Sequence, residues 1–381
     1  MRPQARVAPA RRPPLRTLVL ALLAGGESGV LIALILLVVV FSLLNHGFYS
    51  TVNVRAMLDA VAFIGIIGVG QTILLVTGEF DLSVGSVAGL CSVIAGWLMT
   101  SGHLPVLLAV LLGLGAGALV GLVNGVVVVR FGIPAFIATL GMLFVGQGLT
   151  QVITNGYPIY PLPDVVGNFG QATGPFGIEW ACFILLALLI VGDQAMRRTT
   201  IGRNAYATGG NKEVARLVGI NTDRYKIVCF MLVSTLAAVA GMLVMGSLAS
   251  ATTDIGTGWE LTVIAGVVVG GVSLFGGVGS VLGGALGMLL LQVVQSGLVV
   301  VGVSANWQQV SVGAIMVLAV GLDVVRRKLS VRQVHSVEDM AALLTDLEVA
   351  AERRNIRGRS GITDEAQMTA GAEHTSSLGK E

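Results

Sequence analysis

Residues Thr77–Leu90 read TGEFDLSVGSVAGL, and they stand between stretches built almost wholly of Ile, Leu, Val, Gly and Ala. The apolar flanks decide the fold class, and the two carboxylates between them, Glu79 and Asp81, pose the functional question. Across the chain 54% of residues are hydrophobic, 12% are charged and the mean hydropathy is +0.86. A soluble globular chain carries about a quarter charged residues. Leu31–Leu44, broken only by Ser42, and Ile184–Val191 are apolar runs whose surroundings approach the roughly 20 residues a bilayer crossing requires. The 52 glycines fit the same reading, because small residues let lipid-embedded helices approach closely. The expected class is an all-α, polytopic transmembrane helical bundle.

Hydropathy and breakers predict about ten spans, over residues 29–45, 56–77, 84–100, 105–129, 133–153, 178–195, 226–249, 260–272, 281–301 and 308–325. The eighth is short enough for a half-crossing, so one or two helices are expected to be broken. Three divisions follow: a basic N-terminal segment 1–26, a membrane domain 27–326 with a polar loop at 196–225, and a tail 327–381. The N-terminal stretch reads as a basic anchor for the first helix rather than a cleaved signal, since a full apolar span follows at once. In the tail, Ser336 opens a capping-box-like S-V-E-D, and Val337, Met340, Leu343, Leu344 and Leu347 recur at helical spacing. The remainder is polar and aromatic-free, the composition of a disordered segment.

Orientation follows from charge. With the N-terminus inside, alternating crossings leave only Arg55, of the 23 Lys and Arg residues, on the outer side. Both termini are then cytoplasmic, as are the clusters Arg197/Arg198/Arg203 and Arg326/Arg327/Lys328. The outer face carries one substantial loop, Asn155–Gly177, without Lys or Arg, which reads equally as a connector or a docking surface.

The chemistry is sparse. No G-x-x-x-x-G-K-[ST] occurs, so the phosphate-cradling loop of ATPases is absent. His46, His103, His335 and His374 lie near span ends or in the tail and form no catalytic set. Cys91, Cys182 and Cys229 fall in apolar segments with neither disulfide nor metal spacing. No catalytic, cofactor-binding, metal-binding or nucleic-acid-binding residues are expected. Asp59 follows Arg55 by four residues, the spacing of a local ion pair. So few buried charges argue against a proton-driven carrier and for transport powered from elsewhere. The polar segment 199–226 holds a helical stretch, Asn211–Val218, ending at Gly219 in a C-cap position; it reads either as a connector or as a grip for a separate motor. V-G-S-V at Val84–Val87 recurs at Val278–Val281, a weak internal echo.

From about Val52 to Asp323 the chain resembles the permease subunits of bacterial ABC importers for ribose, xylose, arabinose and related sugars, in the branched-chain amino acid and sugar permease superfamily. The motifs that carry the resemblance are GEFDLSVGS, NGVVVVRFGIPAFIATLGM, TIGRNAYATGGNKEVARLVGIN, GWELTVIAGVVVGGVSLFGGVGSVLG and NWQQVSVGAIMVLAV. The resemblance implies a non-enzymatic transport subunit in the bacterial cytoplasmic membrane. Its implied partners are an ATP-binding subunit carrying ATP and Mg, an extracytoplasmic sugar-binding protein and a second permease copy or paralogue. It also implies coupling to the ATPase through Gly209, Gly210, Asn211, Glu213, Ala215, Arg216, Gly219 and Ile220, and alternating access. A neutral sugar needs only weak polar contacts; Gln147, Asn306, Gln308 and Gln309, with Ser83 and Ser86, are candidates to line its path. Glu79, Asp81, Ser83, Gly85 and Ser86 are expected to form an inner gate, with Asp81 capping the third span. Two departures stand out: Glu79–Phe80 where the family commonly has a second Gly, and Gln147 where it commonly has Arg. The rival readings are a secondary carrier or channel for a small polar solute, and an ABC permease for an autoinducer, nucleoside or vitamin.

Overall fold

A computed structural model describes residues 26–304, 306–321 and 323–324. The expected basic segment before Gly26, and the tail helix and disordered end after Ser336, lie outside them. Helices in chain order are α1 (Gly26–Leu44), α2 (Thr51–Val76), α3 (Val84–Thr100), α4 (Val106–Arg130), α5 (Ala135–Thr154), α6 (Asp164–Gly170), α7 (Trp180–Arg198), α8 (Thr200–Gly210), α9 (Lys212–Leu217), α10 (Thr222–Leu248), α11 (Trp259–Val269) and α12 (Val281–Val300). Residues 306–321 are also helical and are called α13. Among the described residues there is no strand, only two isolated bridges.

Seven helices, α1, α2, α4, α5, α7, α10 and α12, are long and apolar enough to cross a bilayer, while α3 and α11 are apolar but shorter. Every expected span therefore meets a helix. The seventh begins earlier than expected, at Thr222, because the Asn221 side chain accepts the Arg224 N–H at 3.0 Å and draws a polar first turn into the helix. The eighth, α11, has 11 residues and rises about 16 Å, roughly half a membrane. The other half of that crossing is the non-helical chain 249–258.

α2 is the central helix: 83% of its most apolar stretch lies inside the protein, against 17% for α1. Both are apolar all round, so sequence periodicity does not separate a helix packed among helices from one facing lipid. α2 packs on α7, α8, α10, α11 and α12, and α10 packs on α2, α3 and α4. Phe230, Ile66, Ile67, Leu74 and Leu75 are among the largest side chains buried there.

One end of the bundle collects Arg130, Arg197, Arg198, Arg203, Lys212 and Arg216, together with the starts of α1 and α10; it is called the basic end. At the opposite end, the expected long loop contains α6, whose Gly170 lies directly on Gly246 of α10. The expected Arg55–Asp59 ion pair does not form. The Arg55 guanidinium donates to the Phe176 carbonyl at 3.3 Å, and the Asp59 carboxylate takes the Cys182 thiol at 3.7 Å. The two V-G-S-V copies both lead into helices, α3 at Val84 and α12 at Val281.

Candidate coupling and gating site

At the basic end, α8, α9 and the first turn of α10 form a folded projection. α9 is shorter than the expected Asn211–Val218, because both end residues serve as caps. The Asn211 carboxamide oxygen accepts the N–H groups of Glu213 at 3.0 Å and Val214 at 3.1 Å. At the other end Ile220 N–H donates to Ala215 O and Gly219 N–H to Arg216 O, both at 3.0 Å. That pair of bonds is a Schellman cap, and it requires the left-handed backbone that Gly219 adopts at φ +88°. Arg216 then ties α9 to α10: its Nε donates to Thr222 Oγ1 at 3.0 Å and its Nη2 to Asp223 Oδ1 at 2.5 Å, with Lys212 Nζ 3.6 Å from the same carboxylate. Ala215 faces inward, whereas Glu213 is exposed and Val214, Leu217 and Val218 are 53%, 87% and 70% exposed. A capped helix too short to be stable alone presents apolar side chains outward.

The projection is seated on the membrane helices through backbone. A Cβ on Gly209 would come 1.9 Å from Val76 O at the end of α2, and one on Gly277 would come 2.9 Å from Gly210 Cα. Gly277 N–H donates to Val76 O at 2.9 Å, and Tyr206 O–H donates to Gly279 O at 2.7 Å. Burial raises the Tyr206 phenol above its ordinary pKa; Arg197 pulls it down while Asp193 and Glu27 push it up, so it stays a donor. Gly209 and Gly210 thus serve the seat of the projection rather than its outer surface.

The break between α2 and α3 carries the two acids. Glu79 pairs with Lys226, one turn into α10, at 2.6 Å, the two side chains being 19% and 9% exposed respectively. This accounts for Glu79, which no local feature of the sequence explains. Asp81 is fully buried. Its Oδ1 accepts Ser83 N–H at 2.7 Å and Ser83 Oγ at 2.6 Å; its Oδ2 accepts Asn124 Nδ2 at 3.4 Å and Ser234 Oγ at 3.3 Å. Asn124 also donates to Ser83 Oγ at 3.0 Å, and Leu82 N–H donates to Thr139 Oγ1 at 3.1 Å. The expectation of a plain helix cap is corrected in form: Ser83 occupies the N-cap position of α3 and makes no side-chain cap bond. Asp81 holds that residue and joins it to α4 and α10, so it is a hub between helices.

Further along α3 is a narrow polar slot, lined by Gly85, Ser86, Gly89, Gln147, Thr150, Thr253, Ile255 and Thr257. The structure brings Gly85 and Ser86, expected at a gate, together with Gln147, expected on a path. Asn306, Gln308 and Gln309, at the start of α13, are not among its walls. The threonines of 249–258 were not singled out from the sequence, where A-T-T-D-I-G-T-G reads as an ordinary loop.

A bundle of membrane-crossing helices, with a capped projection seated on its basic end and a polar slot inside, defines a membrane transport permease. Residues 53–320 match the family model described as branched-chain amino acid transport system / permease component, and the chain belongs to that family. The chain is 36% identical over 301 residues to the ribose import permease protein of Escherichia coli K12, covering 78% of this chain and 93% of that protein. It is 34% identical over 300 residues to the autoinducer 2 import system permease protein of Photorhabdus luminescens, covering 78% and 89%. To the fructose import permease protein of Rhizobium meliloti it is 33% identical over 309 residues, covering 79% and 86%.

Proposed function

We propose that this chain is the membrane-spanning subunit of a binding-protein-dependent ABC importer. It would carry a monosaccharide of the ribose or xylose class into the cytoplasm of a bacterium while a separate subunit hydrolyses ATP. The observation that carries the reading is the α8–α9 projection. A membrane subunit without its own motor needs a rigid external handle; α9 is capped at both ends, locked to α10 by Arg216, and turns Val214, Leu217 and Val218 outward. Buried in a cleft of a partner, three such side chains would contribute about 1.5–3 kcal/mol each when fully covered. The basic end is then cytoplasmic, in keeping with the bias of Lys and Arg to that side. The opposite end, with Tyr157, Tyr160 and Phe176 strongly exposed, faces an extracytoplasmic binding protein. The relatives named for ribose, fructose and autoinducer 2 support a small, neutral, hydroxyl-rich cargo.

The test is reconstitution in proteoliposomes with an ATP-binding subunit and an extracytoplasmic sugar-binding protein as partners. Uptake of labelled D-ribose or D-xylose should require both partners and ATP. Uptake by the permease alone, at a rate set by an ion gradient, would establish a secondary carrier instead.

A further inference from the structure

The chain from Ala249 to Gly258 is non-helical yet runs through the bundle beside α3. Ala251 lies against Gly96, the Ile255 carbonyl against Gly89, and the Gly256 carbonyl against Gly85; Cβ atoms on those three α3 glycines would sit 2.9, 2.6 and 2.2 Å from them. Gly85 to Gly96 is about 16 Å of helix, so the segment travels more than half the length of α3. Its depth is fixed by α5. A Cβ on Gly146 would lie 2.7 Å from Ser86 Oγ, and Gly146 stands about 16 Å along a helix about 30 Å long.

At this depth Gln147, Asp254 and Thr257 are exposed. Irregular backbone and an exposed carboxylate are not tolerated against lipid tails, where a carboxylate costs at least about 2.5 kcal/mol and unpaired backbone several more. They are tolerated where they line water. The hydroxyls match a ligand that offers hydroxyls in return. Ser86 Oγ donates to Ser83 O and Thr150 Oγ1 to Gly146 O, both at 2.9 Å, leaving each oxygen free to accept. Thr253, Thr257 and Gln147 make no side-chain hydrogen bond to any described residue. As it stands the slot has room for about one water. A sugar ring enters only if a wall moves. No side-chain hydrogen bond among the described residues joins 249–258 to α3. It is fastened by the Ile159–Ala251 bridge, with N–O distances of 2.9 and 3.2 Å, and by the Ser250 hydroxyl, which donates to Ile159 O at 3.4 Å, all at the end of the bundle opposite the basic one.

We infer that this slot is the constriction of the transport path, closed in this conformation. The 249–258 segment is its gate, and Ser86, Gln147, Thr150, Thr253 and Thr257 receive the hydroxyls of a neutral polyhydroxylated solute as the gate lifts from the glycines of α3. The cargo class rests on the proposed function; the gate does not.

Two experiments test it. In proteoliposomes holding the complete transporter, Thr253→Val/Thr257→Val should cut ATP-dependent uptake of labelled D-ribose about tenfold, as loss of two neutral hydrogen bonds implies. ATP hydrolysis stimulated by the loaded binding protein should stay within about twofold, which separates a lost path contact from a lost assembly. Thr253→Ser/Thr257→Ser should restore uptake. Unchanged uptake in the valine variant, or hydrolysis falling in step with it, overturns the assignment of these threonines. In liposomes holding the permease alone, Gly89→Ala should raise passive entry of D-ribose, because its methyl group wedges the gate away from the helix. Leakage at the wild-type rate, with the variant inserted at the wild-type level, overturns the gate. That arm reads the slot even if ATP drives no uptake by the unaltered transporter, so failure of the ABC reading and failure of the gate are told apart.

Discussion

Removing Lys226 strands the Glu79 carboxylate at the foot of the bundle. The two groups are 2.6 Å apart with side chains 9% and 19% exposed, too enclosed for water to replace the lost partner fully. Breaking a buried pair from one side costs about 3–5 kcal/mol, whereas replacing both members by apolar groups of similar shape is often neutral. With a fifth of Glu79 still open to water, about 3 kcal/mol is expected for Lys226→Met, and a comparable loss for Glu79→Leu. The double variant Glu79→Leu/Lys226→Met should be no less stable than either single one, which gives a coupling of at least about 3 kcal/mol. The assay is reversible unfolding of the detergent-solubilised permease, followed by its helical circular dichroism. Single variants within about 0.5 kcal/mol of the parent, or a double variant equal to the sum of the two, would show that the pair is ornamental and refute the electrostatic tie between the break and α10.

Asn211→Ala removes the acceptor for two N–H groups at the start of α9; a cap loss of about 1 kcal/mol should loosen the projection. ATP-dependent uptake should fall severalfold while thermal unfolding of the bundle hardly changes. Gly219→Ala meets no atom within 4 Å but must hold φ +88°, so it should cost about 1–2 kcal/mol and reduce uptake only mildly. Gly219→Trp at the same turn should abolish uptake with normal membrane insertion, because its bulk obstructs the partner's cleft. Asp81→Asn puts an amide N–H₂ where four donors now converge on carboxylate oxygens, so a loss of about 1–3 kcal/mol is expected in thermal unfolding, more than a simple cap would cost.

The spans were readable from sequence because a bilayer demands long apolar segments with self-satisfied backbone, a signal stronger than any propensity. The break at Glu79 and Asp81 was readable because charge is rare in such a chain. What escaped was pairing at a distance. Lys226 reads as one more basic residue at a span end, and nothing local says that its partner lies 147 positions earlier. Arg55 and Asp59 mislead in the opposite way: helical spacing allows a pair, but the Phe176 carbonyl, brought in from the 155–179 connection, takes the guanidinium first. The gate segment escaped for the same reason, since its meaning rests on three α3 glycines some 160 residues away in sequence. Asn306, Gln308 and Gln309 are polar residues near a span, and polarity alone does not say which wall a residue joins.

The charges and hydroxyls that escaped form a chain of contacts between the projection and the slot. Arg216 holds Asp223; one turn on, Lys226 holds Glu79; two residues further, Asp81 holds Ser83, Asn124 and Ser234; and Ser83 O receives Ser86, a wall of the slot. α10 carries Asp223, Lys226 and Ser234 along about 16 Å of one continuous helix, so a push on α9 reaches the break without passing through any flexible joint. The side-chain contacts that carry this route are ion pairs or bonds to the Asp81 carboxylate, of a kind about twice as strong as neutral bonds; Asn124 adds a neutral bond to Ser83 Oγ, and the route ends in a neutral one, between Ser86 and Ser83. The stiff part therefore ends where the solute begins. A transporter of neutral cargo needs that arrangement, with charge spent on transmitting force and hydroxyls left for contacts weak enough to let go.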